Sequence, residues 1–322
     1  MLRMQIRRTR SALVAACVAL ALGLAACSAG SSSSGAAASG PSAAPSAAAS
    51  GGDPTRIPIL IDAQDVVGRA RFLFALSDRQ NAPIGAPDMA ARVAFYDLAA
   101  SSTTPTATVD ATFIWAIQGQ RGIYVADTTF GEAGDWAADF TTTKDGVTET
   151  TRVTFQVVAT SSTPAIGARA PDTVTPTLAD VGGDVKKIST DTTPDPAFYT
   201  TSVHEALVAH KPFVLVFATP AFCTSRQCGP TLDAIKALAK TEPAMTFINV
   251  EPYKLEFANG QLQPVLDANG QLQATDATNA WGLLTEPWIF VVDGTGIVRG
   301  SFELIASDAE LKAAIATALA SS

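Results

Sequence analysis

Sulfur and imidazole are scarce in this 322-residue chain, which holds four cysteines, four methionines and two histidines. Four cysteines are too few to staple a small scaffold. The two histidines, His204 and His210, gather no metal-ligand cluster around them. After the first 27 residues no stretch approaches the roughly 20 apolar residues that a bilayer-spanning helix needs. No glycine-rich nucleotide loop occurs, since Gly294-Thr295-Gly296 has the form of a hairpin turn, so no organic cofactor is expected. Basic charge is also short, with 22 Lys and Arg against 30 Asp and Glu.

What is present begins with Arg3, Arg7, Arg8 and Arg10, followed by an apolar run from Ala12 to Leu24 of signal-peptide length. The run closes on Leu24-Ala25-Ala26-Cys27, which resembles the lipobox of bacterial lipoproteins. That resemblance implies a signal peptide over residues 1–26, lipidation of Cys27 and an extracytoplasmic, membrane-anchored chain. Losing four arginines from the 22 basic residues leaves 18 against 30 acids, a formal −12. Such a balance excludes nucleic acid as a partner and excludes a polybasic grip on anionic lipid. Residues 27–55 are Ser, Ala, Gly and Pro with almost no large apolar side chain, the composition of a disordered tether.

From residue 56 to 160 the pattern is β. Phe72, Phe74 and Leu76 alternate, as do Val93 and Phe95, Phe113 and Trp115, Ile123 and Val125, and Val153, Phe155 and Val157. Lys144-Asp145-Gly146 marks a hairpin turn. Short strands separated by polar turns predict a β-sandwich. The run Gly122-Ile-Tyr-Val-Ala-Asp127, with Phe130 and Ala133-Gly-Asp-Trp136, is similar to immunoglobulin-like modules of bacterial envelope proteins. With no His, Met or Cys cluster for a metal and no nucleophile beside a base, this stretch reads as a spacer or docking module. Residues 161–197, rich in Thr, Pro, Asp and Gly, predict a linker. Elements then follow in the order helix, strand, helix, strand, helix, strand, strand, helix over 198–322. Ser307 and Glu310 form a capping box for the last helix, with Leu311, Ile315 and Leu319 facing inward.

With Cys17 and Cys27 in the leader region, Cys223 and Cys228 remain, and in an oxidising compartment such a pair can form a disulfide. Five residues apart on an α-helix, their Cα atoms would be about 8.6 Å apart, beyond the ~7 Å that a disulfide tolerates. Bonding therefore requires the segment to leave helical geometry. Pro230 suits the first turn of the following helix and places both cysteines in the preceding loop. There the helix dipole favours a thiolate, as does Arg226.

Two stretches resemble the thioredoxin superfamily: Phe213-Val-Leu-Val-Phe-Ala-Thr-Pro-Ala-Phe-Cys223 through Cys228-Gly-Pro-Thr-Leu232, and Ala280-Trp-Gly-Leu-Leu-Thr-Glu-Pro287-Trp-Ile-Phe-Val-Val-Asp-Gly294. The resemblance implies a multidomain chain in which an α/β thioredoxin-like domain follows the all-β sandwich. It also implies that Pro287 is cis beside the cysteines and that Cys223 and Cys228 exchange disulfides with protein thiols of the envelope. Pro287, Glu286 and Arg226 are the expected substrate contacts. The pattern departs from the family in having four residues between the cysteines, an apolar residue near Val216 where many relatives carry an acid, and Glu286 before the proline. Glu286 is open to a surface role as well. Three alternatives stand beside exchange: a binding module with a structural disulfide, a Sco-like copper or thiol chaperone, and a peroxiredoxin-like peroxidase suggested by Pro220, Thr224 and Cys228. The histidines do not match the Sco ligand position, and no metal is expected.

Overall fold

Strand-forming alternation builds the first half of the chain. The computed structural model describes residues 47–49 and 54–321, so the leader, Cys27 and most of the expected tether lie outside the described residues. Nine strands form one sheet: β1 (Ala47–Ala49), β2 (Ile57–Leu60), β3 (Asp65–Val66), β4 (Gly68–Ser77), β5 (Ala90–Asp97), β6 (Ala107–Ile117), β7 (Arg121–Phe130), β8 (Gly134–Lys144) and β9 (Val147–Val158). Their order is β1-β9-β8-β5-β6-β7-β4-β2, with β3 added beside β9. β1 sits within the stretch expected to be a tether and pairs antiparallel with β9.

The sheet curls because β6 serves two partners. Its first half pairs with β5 up to Ala111, and its second half pairs with β7 from Thr112 onward. Curling brings Phe72 and Phe74 of β4 against strands they do not pair with. Phe72 lies 5.1 Å from Phe95 and 5.2 Å from Phe155, and Phe74 lies 4.8 Å from Phe140, between ring centroids. Aromatic packing of this kind contributes about 0.5–1.5 kcal/mol per pair beyond area burial. Asp145 and Gly146 close the β8–β9 hairpin as a two-residue loop with φ of 50° and 76°, the left-handed pair that a tight hairpin needs.

A second, four-stranded sheet contains β10 (Phe213–Phe217), β11 (Thr246–Val250), β14 (Trp288–Val292) and β15 (Val298–Glu303) in the order β11-β10-β14-β15. β10 runs parallel to β11 and antiparallel to β14. Four helices accompany it: α1 (Val203–Val208), α2 (Cys228–Ala239), α3 (Asp276–Ala280) and α4 (Asp308–Ala320). Between β11 and α3 lies a small hairpin, β12 (Leu255–Ala258) with β13 (Gln261–Pro264), which the sequence pattern did not reveal. Every residue of β10 and β14 is buried, because both faces are covered. Val214, Val216, Ile289 and Val291 meet α2 and α4 on one face. Phe213, Leu215, Phe217 and Phe290 meet α1, α3 and Trp281 on the other.

The α4 capping box forms as expected, with Ser307 N–H donating to Glu310 at 2.7 Å and Glu310 N–H donating to Ser307 Oγ at 3.3 Å. One inward position is corrected. Leu319 is exposed and Ala318 is buried, since the stripe continues from Leu311 and Ile315 by three residues rather than four.

Residues 161–197 lie along the second sheet. Gly167 N–H donates to Val298 O and Val298 N–H to Ala168 O, at 2.8 and 2.9 Å. The curled sheet also touches the second one. Ile123 and Val125 point away from the aromatic core and cluster with Leu73, Ala116 and Ile305. That contact explains why Gly122–Ala126 is buried without a break. Taken together, the described residues are mostly β, with few helices.

Candidate functional site

The end of β10 delivers the chain to Cys223, and α2 starts on Cys228. The two form a disulfide with Cα atoms 6.0 Å apart, closer than helical geometry allows. Arg226 provides the departure, in the left-handed region at φ 60°. The expectation that both cysteines precede the helix is corrected: Cys228 is the first residue of α2 and Cys223 alone lies in the loop. Pro230 sits at the third helical position, where a missing N–H costs no intrahelical bond.

The two sulfurs differ in environment. Cys228 is fully buried and packs with Val214, Val216 and Leu232, whereas Cys223 is partly exposed. Cys223 Sγ accepts the Cys228 backbone N–H at 3.1 Å and lies 3.3 Å from Ser225 Oγ. The Cys228 N–H aimed at Cys223 stabilises negative charge there.

Glu286 and Pro287 approach from the loop before β14. The Glu286–Pro287 peptide is cis, and Pro287 is buried. Glu286 is 5 % exposed, which removes the surface role. Its Oε1 accepts Thr224 N–H and Thr224 Oγ1–H at 2.8 and 2.7 Å, and its Oε2 accepts the Tyr253 hydroxyl at 2.6 Å. Ser225 Oγ–H donates to the Glu286 carbonyl at 3.0 Å. Glu286 thus ties the cysteine loop to two distant segments. Burial, then the hydrogen bond to Glu286, pushes the Tyr253 hydroxyl above its ordinary pKa. Arg226 is exposed at the loop apex.

The curled sheet holds the same loop from the opposite side. Gln227, 1 % exposed, donates to Ala116 O at 2.6 Å. Arg121 donates to Gln227 Oε1 at 3.3 Å. Tyr253 and Arg121 escaped sequence reasoning, because nothing local marks residues that meet the cysteine loop only after folding. Thr224, Ser225 and Gln227 were visible as the interior of the Cys-x4-Cys segment, without a role.

Among the described residues, Cys223, Cys228 and Glu286 are the one trio with metal-ligating chemistry, one atom from each lying within 4.8 Å of the others. In the disulfide the sulfurs offer no thiolate, and both carboxylate oxygens already accept hydrogen bonds. Tyr253 also lines an open cavity of about 470 Å³ shared with Tyr199, Asn249 and Glu251. Burial pushes the Glu251 carboxyl up to about 7.

Comparison with protein-family models, curated proteins and solved structures gives no match. The functional reading rests on the site's own chemistry.

Proposed function

We propose that the chain is a thiol–disulfide oxidoreductase with a thioredoxin-like C-terminal domain, acting on protein thiols and disulfides of the envelope. Cys27 anchors it by lipid, and an immunoglobulin-like sandwich precedes the redox domain. The observation that carries the reading is the asymmetry of the Cys223–Cys228 disulfide, one sulfur reachable at the loop and the other sealed at the start of α2.

In the oxidising direction, a substrate thiolate attacks Cys223 Sγ and the Cys223–Cys228 bond breaks. Cys228 leaves as a thiolate at the N-terminus of α2, where the helix dipole stabilises negative charge. A second substrate thiolate then attacks the substrate sulfur of the mixed disulfide and expels Cys223. Two substrate thiols become a disulfide, and the enzyme pair takes up the two electrons. Pro287 and Arg226 are assigned as substrate contacts, and Glu286, hydrogen-bonded to Thr224, fixes the loop that presents Cys223.

A second reading, a static brace, is favoured by the burial of Cys228 and by the hydrogen bond from Gln227 to Ala116. The reduction potential separates the two. Exchange requires a value above about −300 mV, and a brace sits below it. In an insulin-reduction assay the wild type is expected to be active and both Cys223→Ser and Cys228→Ser inactive. Equal behaviour of all three proteins rejects exchange.

A further inference from the structure

Glu286 reaches the cysteines only through the fold, and it brings a charge with it. One atom each of Cys223, Cys228 and Glu286 lies within 4.8 Å of the other two. Glu286 is buried, and its three donors, the Thr224 N–H, the Thr224 hydroxyl and the Tyr253 hydroxyl, are all neutral. None of the ion pairs among the described residues includes it. Buried carboxylates normally have a cationic partner or hold a metal.

Reduction sharpens this imbalance, because it sets two sulfurs that can carry negative charge beside a group that already does. The oxygens of Glu286 are used unequally: Oε1 accepts two hydrogen bonds and Oε2 accepts one. Each carboxylate oxygen has two acceptor sites, so Oε2 keeps a lone pair for a cation. Cys223 lies in the loop outside α2 and is partly exposed. An ion can enter on that side, and that sulfur can move once the bond is open. Tetrahedral zinc holds thiolates at about 2.3 Å and carboxylate oxygens at about 2.0–2.2 Å, so the trio must close by roughly 1 Å to share one ion.

We infer that the reduced chain binds one Zn2+ through Cys223 Sγ, Cys228 Sγ and the Glu286 carboxylate, with water on the Cys223 side as the fourth ligand. Two Zn–S bonds form, the protons of the two thiols pass to solvent, and no electrons move. The donor set selects the metal. Two thiolates with a carboxylate suit Zn2+, whereas Cu(I) takes the softer thiolates and leaves the carboxylate aside. Binding requires only that a thiol or phosphine reductant open the disulfide, so it does not depend on exchange with a protein substrate.

The test uses the full chain, reduced with a phosphine and freed of reductant without air. Zn2+ is titrated in against a chromophoric chelator, with Co2+ as a spectroscopic stand-in. One ion per reduced chain is expected, none per oxidised chain, and sulfur-to-cobalt charge-transfer bands with Co2+. Glu286→Gln is expected to weaken Zn2+ at least tenfold, the least that disturbing a metal's ligand shell usually costs, and to leave Cu(I) affinity unchanged. X-ray absorption of the wild-type zinc complex needs no variant, and two sulfur and two oxygen neighbours are expected. Four sulfur neighbours, which would mean an ion shared between two chains, overturn the inference. So do failure of the reduced chain to bind, equal Zn2+ affinity of Glu286→Gln and wild type, or equal loss of Zn2+ and Cu(I) in that variant.

Discussion

Glu286 brings a carboxylate oxygen within 4.8 Å of both sulfurs, and three donors from Thr224 and Tyr253 aim at it. Negative charge at that range opposes a thiolate once the disulfide opens, while the Cys228 N–H favours one at Cys223. Replacing Glu286 by glutamine removes the charge at nearly constant shape. Reduced Cys223 is therefore expected to ionise at lower pH in Glu286→Gln than in the wild type. Ultraviolet absorbance of the thiolate against pH measures this, and coincident curves reject the coupling. The amide oxygen can keep both Thr224 donors while the NH2 donates to the Tyr253 oxygen, so stability is expected to change by no more than about 1 kcal/mol. The cysteines were legible from their spacing and from the strand before them. Glu286 stood out only as a departure from a family pattern. Its partners lie 62 and 33 residues away in sequence, a separation that no local pattern reports.

Strands and caps were the most readable elements because their signals are local. Asp145-Gly146 and the Ser307/Glu310 box act through their own backbones, and both formed. The β12–β13 hairpin went unseen because Leu255, Phe257 and Leu262 lie among charged and amide residues that blur the alternation. Two glycines, Gly146 and Gly122, are needed for different physical reasons. Gly146 has φ 76° and open space where a Cβ would go, so Gly146→Ala meets only backbone strain. About 1–2 kcal/mol is expected. Gly122 has ordinary backbone geometry, but a Cβ there would enter the Phe113 ring. Gly122→Ala must displace that ring from between Trp115 and Tyr124, an overpacking cost of about 1–3 kcal/mol. Urea unfolding compares the two. The informative contrast is structural: Tyr124 and Trp115 amide shifts are expected to move in Gly122→Ala and to stay still in Gly146→Ala. Still spectra in both variants would contradict the packing argument.

The sequence reads as separate modules on a string, whereas β4, β7 and α4 meet across an extended junction. Arg71 of β4 donates to Glu310 of α4 at 2.5 Å, and Ala63 N–H donates to Glu303 of β15 at 3.0 Å. Ile123 and Val125 look like ordinary strand residues until Ile305 covers them, since alternation reports that a face is apolar and not what lies on it. The same junction buries acids. Asp65 is raised to about 7, by desolvation first and then by the nearby charge of Glu303. Desolvation also leads the upward shifts of Asp62 and Glu303. A carboxyl whose pKa rises on folding binds its proton more tightly when folded. Its contribution is fully present below the ordinary carboxylate range, near 4, and is lost as pH climbs through the folded value. Asp293 and Glu310 are held below their ordinary values by hydrogen bonds that outweigh their burial, so they act in the opposite sense and lose stability in acid. Stability is therefore expected to peak on the acid side of neutrality and to decline between about pH 5 and 8. Asp65→Asn removes a charge that must otherwise form in this junction, and it is expected to flatten that decline. The gain at pH 8 should be on the order of 2 kcal/mol, reduced by relaxation of the junction. Urea midpoints across the pH range decide the matter: parallel curves for wild type and Asp65→Asn would mean that the contact between the two sheets carries no proton-linked cost at Asp65.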